Sequence, residues 1–567
     1  MGSIKGKKIN SNTYYYYVES KRINGKSKTV NQQYLGTAEK LLERARDTEK
    51  PLQERALYSV EYDYGMVTLL YDLAVRLDLV GIIDSFVPKR RQGASVGMYI
   101  LIEAINRVVA PSSTTELQEW YKKTYLPCMT NLSASAFSAQ NFWNNASKIS
   151  EEALERIEDE ILSKMLEVYN IDVTNLIYDA TNFFTYIDTK QESQLAKRGH
   201  CKSKQNDLRV VGLSLMVSPD FSIPLIHETY PGNMNDAKQF ANIVNRLKSR
   251  CKTLSGRDNE VTLVFDRGNN SEDNINLLIS GDKPFHYVGG LKKGQAPDLW
   301  AIPKEEYTPL LGDNFTGQSS YRMEVEVFKQ KVIGLIVHNP ELEKGQMQGI
   351  QINIDKTRTK LCDLHERLMK RANGEITKGK KPTVNSVKQS VEDILNVEYM
   401  KDIFKYEIIE IDNNVILTFN ASELALEKIR HDLLGKTALF TDRRDFSNEE
   451  IVGAYRSAWH VEQAFRQMKD TNHLTVRPLF HWTDHKIKVH LFTCVLAYRM
   501  CCLLAKELAE QGWQTNVNNL ITQMSEIKRI LTFFGDLKNP EKVLTYTCGN
   551  DLAEHVLSSY RLREKYS

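Results

Sequence analysis

Residues 173–184, VTNLIYDATNFF, and residues 261–269, VTLVFDRGN, decide the fold of this chain. Each opens with a short β-branched and aromatic run and places an aspartate, Asp179 or Asp266, where that run ends. Such runs read as strands, here over 173–178 and 261–265. Between them, 208–217 and 221–230 are further strand candidates joined by a turn near Pro219-Asp220, and 235–250 carries a helical pattern. The order is therefore β-β-β-α-β. An Asp at the end of a strand is fixed by the sheet while its side chain reaches the open edge. If the two Asp strands are neighbours, the carboxylates converge despite their separation in sequence.

This order matches the start of a ribonuclease H-like fold, α/β in class with a mixed sheet. A third acid on a crossing helix would complete a carboxylate site. Glu462 in AWHVEQAFRQMKD, on a helix expected over 448–469, is placed for that. Convergent carboxylates can hold two hard divalent ions, which prefer oxygen ligands. Paired ions activate a hydroxyl and stabilise the leaving oxygen of a phosphodiester. The plainer alternative is that each Asp only ends a turn and the Glu faces solvent; alone, these residues support no more than a metal-dependent hydrolase. His460, two residues from Glu462, points to another side of the helix.

Working outward, the chain reads as multidomain. Residues 1–60 form a small hairpin and helix: strands at 14–18 and 28–34 around Asn24-Gly25, then a helix at 38–46. This is either a DNA-contacting module or an N-terminal cap. Residues 61–165 are helical throughout, with Met66, Leu69, Leu70, Leu73 and Leu77 at helical spacing, and serve either as a DNA reader or as a scaffold. The core's first part spans 166–282. A β-rich insertion at 283–439 carries strand candidates at 286–289, 322–337, 404–411 and 415–419 and helices at 357–371 and 384–397. The core's second part, 440–512, holds the Glu helix and an apolar helix over 487–506, and 513–567 reads as a helical tail.

With 75 Lys and Arg against 72 Asp and Glu, the net charge of +3 names no partner. Local clusters say more: 190–209 and 367–381 are lysine- and arginine-rich, fit either to neutralise phosphates or to form solvated loops. The eight cysteines form no CxxC pair, which argues against a zinc knuckle and suits a reducing cytoplasm. The N-terminus has no apolar signal core, and residues 491–503 are apolar but too short to span a bilayer, so no membrane partner is expected. Asp236 suits a helix N-terminus better than a fourth ligand position. His200, His227 and His286 are too scattered for a zinc site.

The segment 455–469, YRSAWHVEQAFRQMK, resembles the C-terminal signature of bacterial insertion-sequence DDE transposases, in which Tyr, Arg, Glu and Lys follow at set spacing. Tyr455, Glu462 and Lys469 match; position 458 is Ala where the family has Arg, and Arg456 lies nearby. Further blocks follow in the family's order: YDATNFF at 178–184, the stretch 198–240, LVFDRGNNS at 263–271, LLGKTALFTD at 433–442 and the stretch 476–500.

The resemblance implies a ribonuclease H-like core with a β-rich insertion, and Asp179, Asp266 and Glu462 as catalytic metal ligands. The metal would be Mg²⁺, with Mn²⁺ able to substitute, in a two-metal site. Tyr455, Arg456, Trp459, Arg466 and Lys469 would face DNA. For Arg466 an i,i+4 salt bridge to Glu462 competes with that role, and for Trp459 packing into the core is the favoured alternative. Arg267 and Asn182 are candidate supporting groups. The implied activity is cut-and-paste transposition: cleavage at terminal inverted repeats of double-stranded DNA and joining to target DNA. A homodimer or higher multimer would form the synaptic complex, in the cytoplasm on bacterial DNA. A metal-dependent nuclease without strand transfer would share the same acids. A noncatalytic, domesticated DNA-binding protein would be expected to lack one of them.

Overall fold

The computed structural model describes residues 2–10, 12–23, 26–49, 56–88, 93–188, 192–199, 208–234, 236–254, 261–280, 284–477, 479–535, 540–547 and 549–566. The Asn24-Gly25 turn, Lys190, His200, Lys202 and Lys204 lie outside the described residues, as does the side chain of Asp236.

At the N-terminus, β1 (Gly2–Ile9), β2 (Asn12–Ile23) and β3 (Lys26–Thr37) form an antiparallel sheet, followed by α1 (Ala38–Glu49). The expected hairpin is present and gains β1 as a third strand. β4 (Ala56–Asp63) leads into the helical region, where α2 (Gly65–Arg76), α3 (Val96–Val109) and α4 (Glu151–Val168) are the main helices. α3 is buried along nearly its whole length, so it has little outward face.

The central sheet begins with β5 (Asn175–Thr185), β6 (Arg209–Val217) and β7 (Pro224–Pro231), then α5 (Asp236–Leu254), β8 (Thr262–Phe265) and β9 (His286–Leu291). Burial on both faces explains why these strands read as continuous apolar runs rather than alternating ones. β5 pairs antiparallel with β6 and parallel with β8, and β8 pairs parallel with β9. The spatial order β7-β6-β5-β8-β9 is that of the expected ribonuclease H-like start. β5 runs six residues beyond Asp179, to Thr185. The aspartate therefore lies within its strand, at the point where the shorter β8 stops beside it.

Residues 283–439 do not form one separate β-rich body. β10 (Thr308–Pro309), β11 (Ser319–Val327) and β12 (Gln330–His338) extend the central sheet. The expected single strand over 322–337 is in fact a hairpin, turned at Phe328 and Lys329 with φ of 54° and 60°. The long α6 (Pro340–Ala372) then leaves the sheet, capped by the Asn339 side chain. With the hairpin β13 (Phe404–Ile411) and β14 (Asn414–Ala421) it encloses a second core that includes Leu361, Val391, Phe404 and Leu417. β15 (Lys436–Thr441) returns to the main sheet between β9 and β12. Among the described residues that sheet has nine strands.

The expected helix 448–469 is two helices, α7 (Asn448–Arg456) and α8 (Trp459–Lys469). Short i→i+3 bonds, Ser457 N to Ala454 O (3.2 Å) and Ala458 N to Tyr455 O (3.2 Å), tighten the chain at the junction. α9 (Asp484–Glu510) is long and apolar enough to cross a bilayer by composition, but nearly all of it is buried in the protein. Its Arg499 donates to the carbonyls of Pro224 (2.7 Å) and Leu225 (3.1 Å) and reaches Glu158 of α4 at 3.4 Å. This ties the helical region to the sheet.

The tail is not simply helical. β16 (Lys528–Phe534) pairs with β17 (Glu541–Tyr546) and with β4, joining the tail to the strand that leads into the helical region. Gly65 sits at this closure: a Cβ there would strike the Met524 carbonyl and Ile527.

Candidate active site

The register of two parallel strands sets the site. Tyr178 of β5 pairs with Phe265, the last residue of β8, so the next residues are Asp179 within β5 and Asp266 just past the end of β8. In-register residues of parallel neighbours leave the sheet on the same side. Asp179 is half-buried and Asp266 exposed.

Asp266 is held from two directions. Its Oδ1 accepts the Arg267 backbone N–H at 2.7 Å, which caps the short turn after β8, and the Tyr455 hydroxyl at 3.2 Å. Tyr455 comes from the last turn of α7. Burial pushes its phenol well above the ordinary range, and the Asp266 carboxylate pushes it further. Arg267 opposes the rise, and Glu462 adds to it. The phenol therefore stays protonated, as a donor. Gly290 leaves room for this contact: a Cβ there would stand 2.6 Å from the Tyr455 oxygen and 2.9 Å from Arg267 Cγ. Asn270 fixes that stretch of β9 by donating to the Gly290 carbonyl at 2.5 Å.

Glu462 is exposed in the first turn of α8, close enough for its charge to act on the Tyr455 hydroxyl. The other end of α8 is pinned to β5: Lys469 Nζ donates to Thr181 Oγ1 at 2.5 Å and lies 5.5 Å from the Phe183 ring centre. Seven residues of helix span roughly 10 Å, so α8 extends from the acids along the strand that carries Asp179. The donors are carboxylate oxygens open to water, the chemistry that hard divalent ions favour. As the side chains stand, no group of three His, Cys, Asp or Glu among the described residues is drawn close enough to hold an ion. The acids thus share an edge without forming a closed three-ligand cage.

Residues 175–500, more than half of the chain, match the transposase DDE domain. The chain belongs to the transposase DDE domain family. No curated protein matches it in sequence. Among solved structures it is similar to a piggyBac transposase synaptic complex with hairpin DNA, at 8% identity over 81% of this chain and 79% of that one, with a TM-score of 0.39. It is also similar to a Mos1 transposase paired-end complex with the left transposon end, at 14% identity over 34% of this chain and 58% of that one, with a TM-score of 0.14. Both scores lie below the level that establishes a common fold. The family assignment rests on the domain match, and the fold on the strand order.

Within this DDE-type DNA transposase, the residues expected to face DNA are not all in one place. Arg456 is turned away from the acids. Its guanidinium donates to the Gln318 side chain and to the Asn314 carbonyl (3.3 Å) and stacks over Phe315 at 5.3 Å. It is taken up by the loop before β11. Trp459 is 54% exposed, not packed in the core, with its ring against His460. Arg466 is exposed, and among the described residues it makes no ion pair with Glu462. His460 faces elsewhere, its Nδ1 bonded to the Ser222 hydroxyl at 2.9 Å. Arg267 lies beside Tyr455, and Asn182 is half-buried on β5 across from Gly212. Gly290 lies outside the motif blocks, and Thr181 and Asn270 lie within them without being singled out. The paired glycines of YVGGL, at the end of a strand, were the signal for the first.

Proposed function

We propose that this transposase cuts DNA at the terminal inverted repeats of its element and joins the exposed 3′ ends to target DNA by a cut-and-paste route, with Asp179, Asp266 and Glu462 as its catalytic acids. The observation that carries this is the β5–β8 register, which sets Asp179 and Asp266 side by side within the matched domain. Mg²⁺ ions held by the three acids, or Mn²⁺ in their place, would supply the activation of water or a 3′-hydroxyl and the stabilisation of the leaving oxygen. Tyr455 keeps the Asp266 carboxylate oriented. Lys469 offers a point charge to phosphate beside β5, and the exposed Trp459 ring offers a stacking surface for a base. Two element ends must meet for joining, so the working form is a dimer or larger assembly.

The test is 3′-end joining by wild type, Asp179→Ala, Asp266→Ala and Glu462→Ala proteins, with terminus DNA, target DNA and Mg²⁺. Joining by wild type and by none of the variants is the expected outcome. Metal-dependent cutting without joining would favour a nuclease, and full joining by any variant would remove that residue from the site.

A further inference from the structure

Successive residues of β5 point to opposite faces of the sheet. Tyr178 packs edge-on against Phe240 of α5, with ring centres 5.1 Å apart, so this side of the strand faces α5. The alternate series Asp179, Thr181 and Phe183 therefore faces α8. On that helix Glu462 and Lys469 lie two turns apart and share a face. The strand face and the helix face that carry the candidate acids thus run alongside one another.

Thr181 stands between them. It is 7% exposed, and its Oγ1 accepts from Lys469 Nζ at 2.5 Å. Lys469 is half-buried, and its ammonium lies 5.5 Å from the Phe183 ring centre. A lysine carries a compact charge on a flexible stem, so the side chain alone does not fix where that charge stands. Thr181 can fix it: a β-branched side chain has few rotamers, and its backbone is held in the sheet opposite Leu213 of β6. Thr181 is two residues beyond Asp179, about 7 Å along the strand. One strand of a duplex advances about 3.4 Å per nucleotide. For a DNA strand that follows β5, the ammonium stands roughly two nucleotides from the acids.

We infer that Thr181 is a positioning residue, whose hydroxyl holds the Lys469 ammonium for a phosphate about two nucleotides from the one that is cut. An ammonium has several N–H donors, so a bond to Thr181 is compatible with one to a phosphate oxygen. A charge already held in place loses less freedom when the phosphate arrives. The inference deepens the proposed transposase function and rests on it.

The test uses a duplex from the element's terminus with one uncharged methylphosphonate, moved position by position through the nucleotides on either side of the cleaved bond. Full-length wild type, Thr181→Val, Thr181→Ser and Lys469→Ala are compared for duplex affinity, its salt slope and 3′-end joining. Valine keeps the branched shape and removes the acceptor; Thr181→Ala gives the same reading if valine disturbs folding. In wild type, one position about two nucleotides from the cut should lose affinity several-fold when neutralised, with the salt slope shallower by about one. Thr181→Val should bind the unmodified duplex several-fold more weakly and lose nothing further at that position. Its KM for the duplex should rise while the Mg²⁺ concentration for half-maximal rate stays at the wild-type value. Thr181→Ser should restore the sensitivity, and Lys469→Ala should lack it. A wild type with no sensitive position, a Thr181→Val protein as sensitive as wild type, or a sensitivity that survives Lys469→Ala would each overturn the inference and leave the transposase reading intact. Failure of wild type itself to cut or join would overturn the transposase reading, and the inference with it.

Discussion

The Tyr455 hydroxyl donates to Asp266 Oδ1 across 3.2 Å, linking the last turn of one helix to the end of a strand nearly two hundred residues earlier. The family resemblance gives Tyr455 a role in holding DNA; the geometry gives it an acid to hold. The two roles separate experimentally. Tyr455→Phe keeps the ring and removes the bond. A hydrogen bond to a charged group is worth about 1.5–3 kcal/mol, so joining should slow by about ten- to a hundredfold and the Mg²⁺ concentration for half-maximal rate should rise. If Tyr455 acts chiefly on DNA, the apparent KM for the duplex should rise with no change in metal demand.

Gly290 has no motif to mark it, yet it borders the same contact. A Cβ at 2.6 Å from the phenol oxygen and 2.9 Å from Arg267 Cγ has to displace one of them. Gly290→Ala should lower stability by about 1–3 kcal/mol through overpacking and should slow joining about as much as Tyr455→Phe does. Combined, the two changes should cost less than their sum, because both act on one contact. Additive losses would show that Gly290 acts through something else.

Glu343, in the first turn of α6, ties the second core to the main sheet. Its carboxylate meets Lys304 at 2.8 Å, Arg430 at 2.8 Å and His338 at 2.7 Å. Burial alone would raise its pKa, but these three donors hold it at about 2, against an ordinary 4.5. A depressed carboxylate stabilises the fold fully above its unfolded pKa and loses that contribution as pH falls through the folded one. The stability advantage of wild type over Glu343→Gln should therefore be full above about 4.5 and shrink as pH falls toward 2. Urea unfolding of both proteins across that range measures it. A difference that stays constant would show that the ion pairs are not its source.

Much of the core was legible because its strands obey a local rule. Buried on both faces, β5 and β8 open as apolar runs, and the acids that interrupt the one and follow the other, Asp179 and Asp266, stand out. What stayed hidden depends on contacts between distant residues or on unmarked turns. The β11–β12 turn uses Phe328 and Lys329 at positive φ, where Asn or Gly would have announced it. The break between α7 and α8 falls in YRSAWHVEQAF, which contains neither Gly nor Pro. β16 has its partner β4 at the far end of the chain, so no local pattern could report the pairing. Arg456 has the residue type for phosphate binding, but only the position of Gln318 and Phe315 shows that it is occupied elsewhere.

Arg456 and its near neighbour Trp459 therefore make a paired prediction, because the structure reverses the roles their residue types suggest. Trp459 is 54% exposed, so Trp459→Ala should leave stability within about 0.5 kcal/mol of wild type. If its ring stacks on a base, affinity for end DNA should fall by the equivalent of about 1–3 kcal/mol. Arg456→Ala removes a part-buried guanidinium that binds the Gln318 side chain and covers Phe315. It should lower the melting temperature and leave the salt dependence of DNA binding unchanged. Calorimetry and duplex titration on the same two variants check both halves. A stable Arg456→Ala protein with a shallower salt slope would mean that this arginine swings out to phosphate, and that its packing onto the 314–318 loop is broken when DNA is bound.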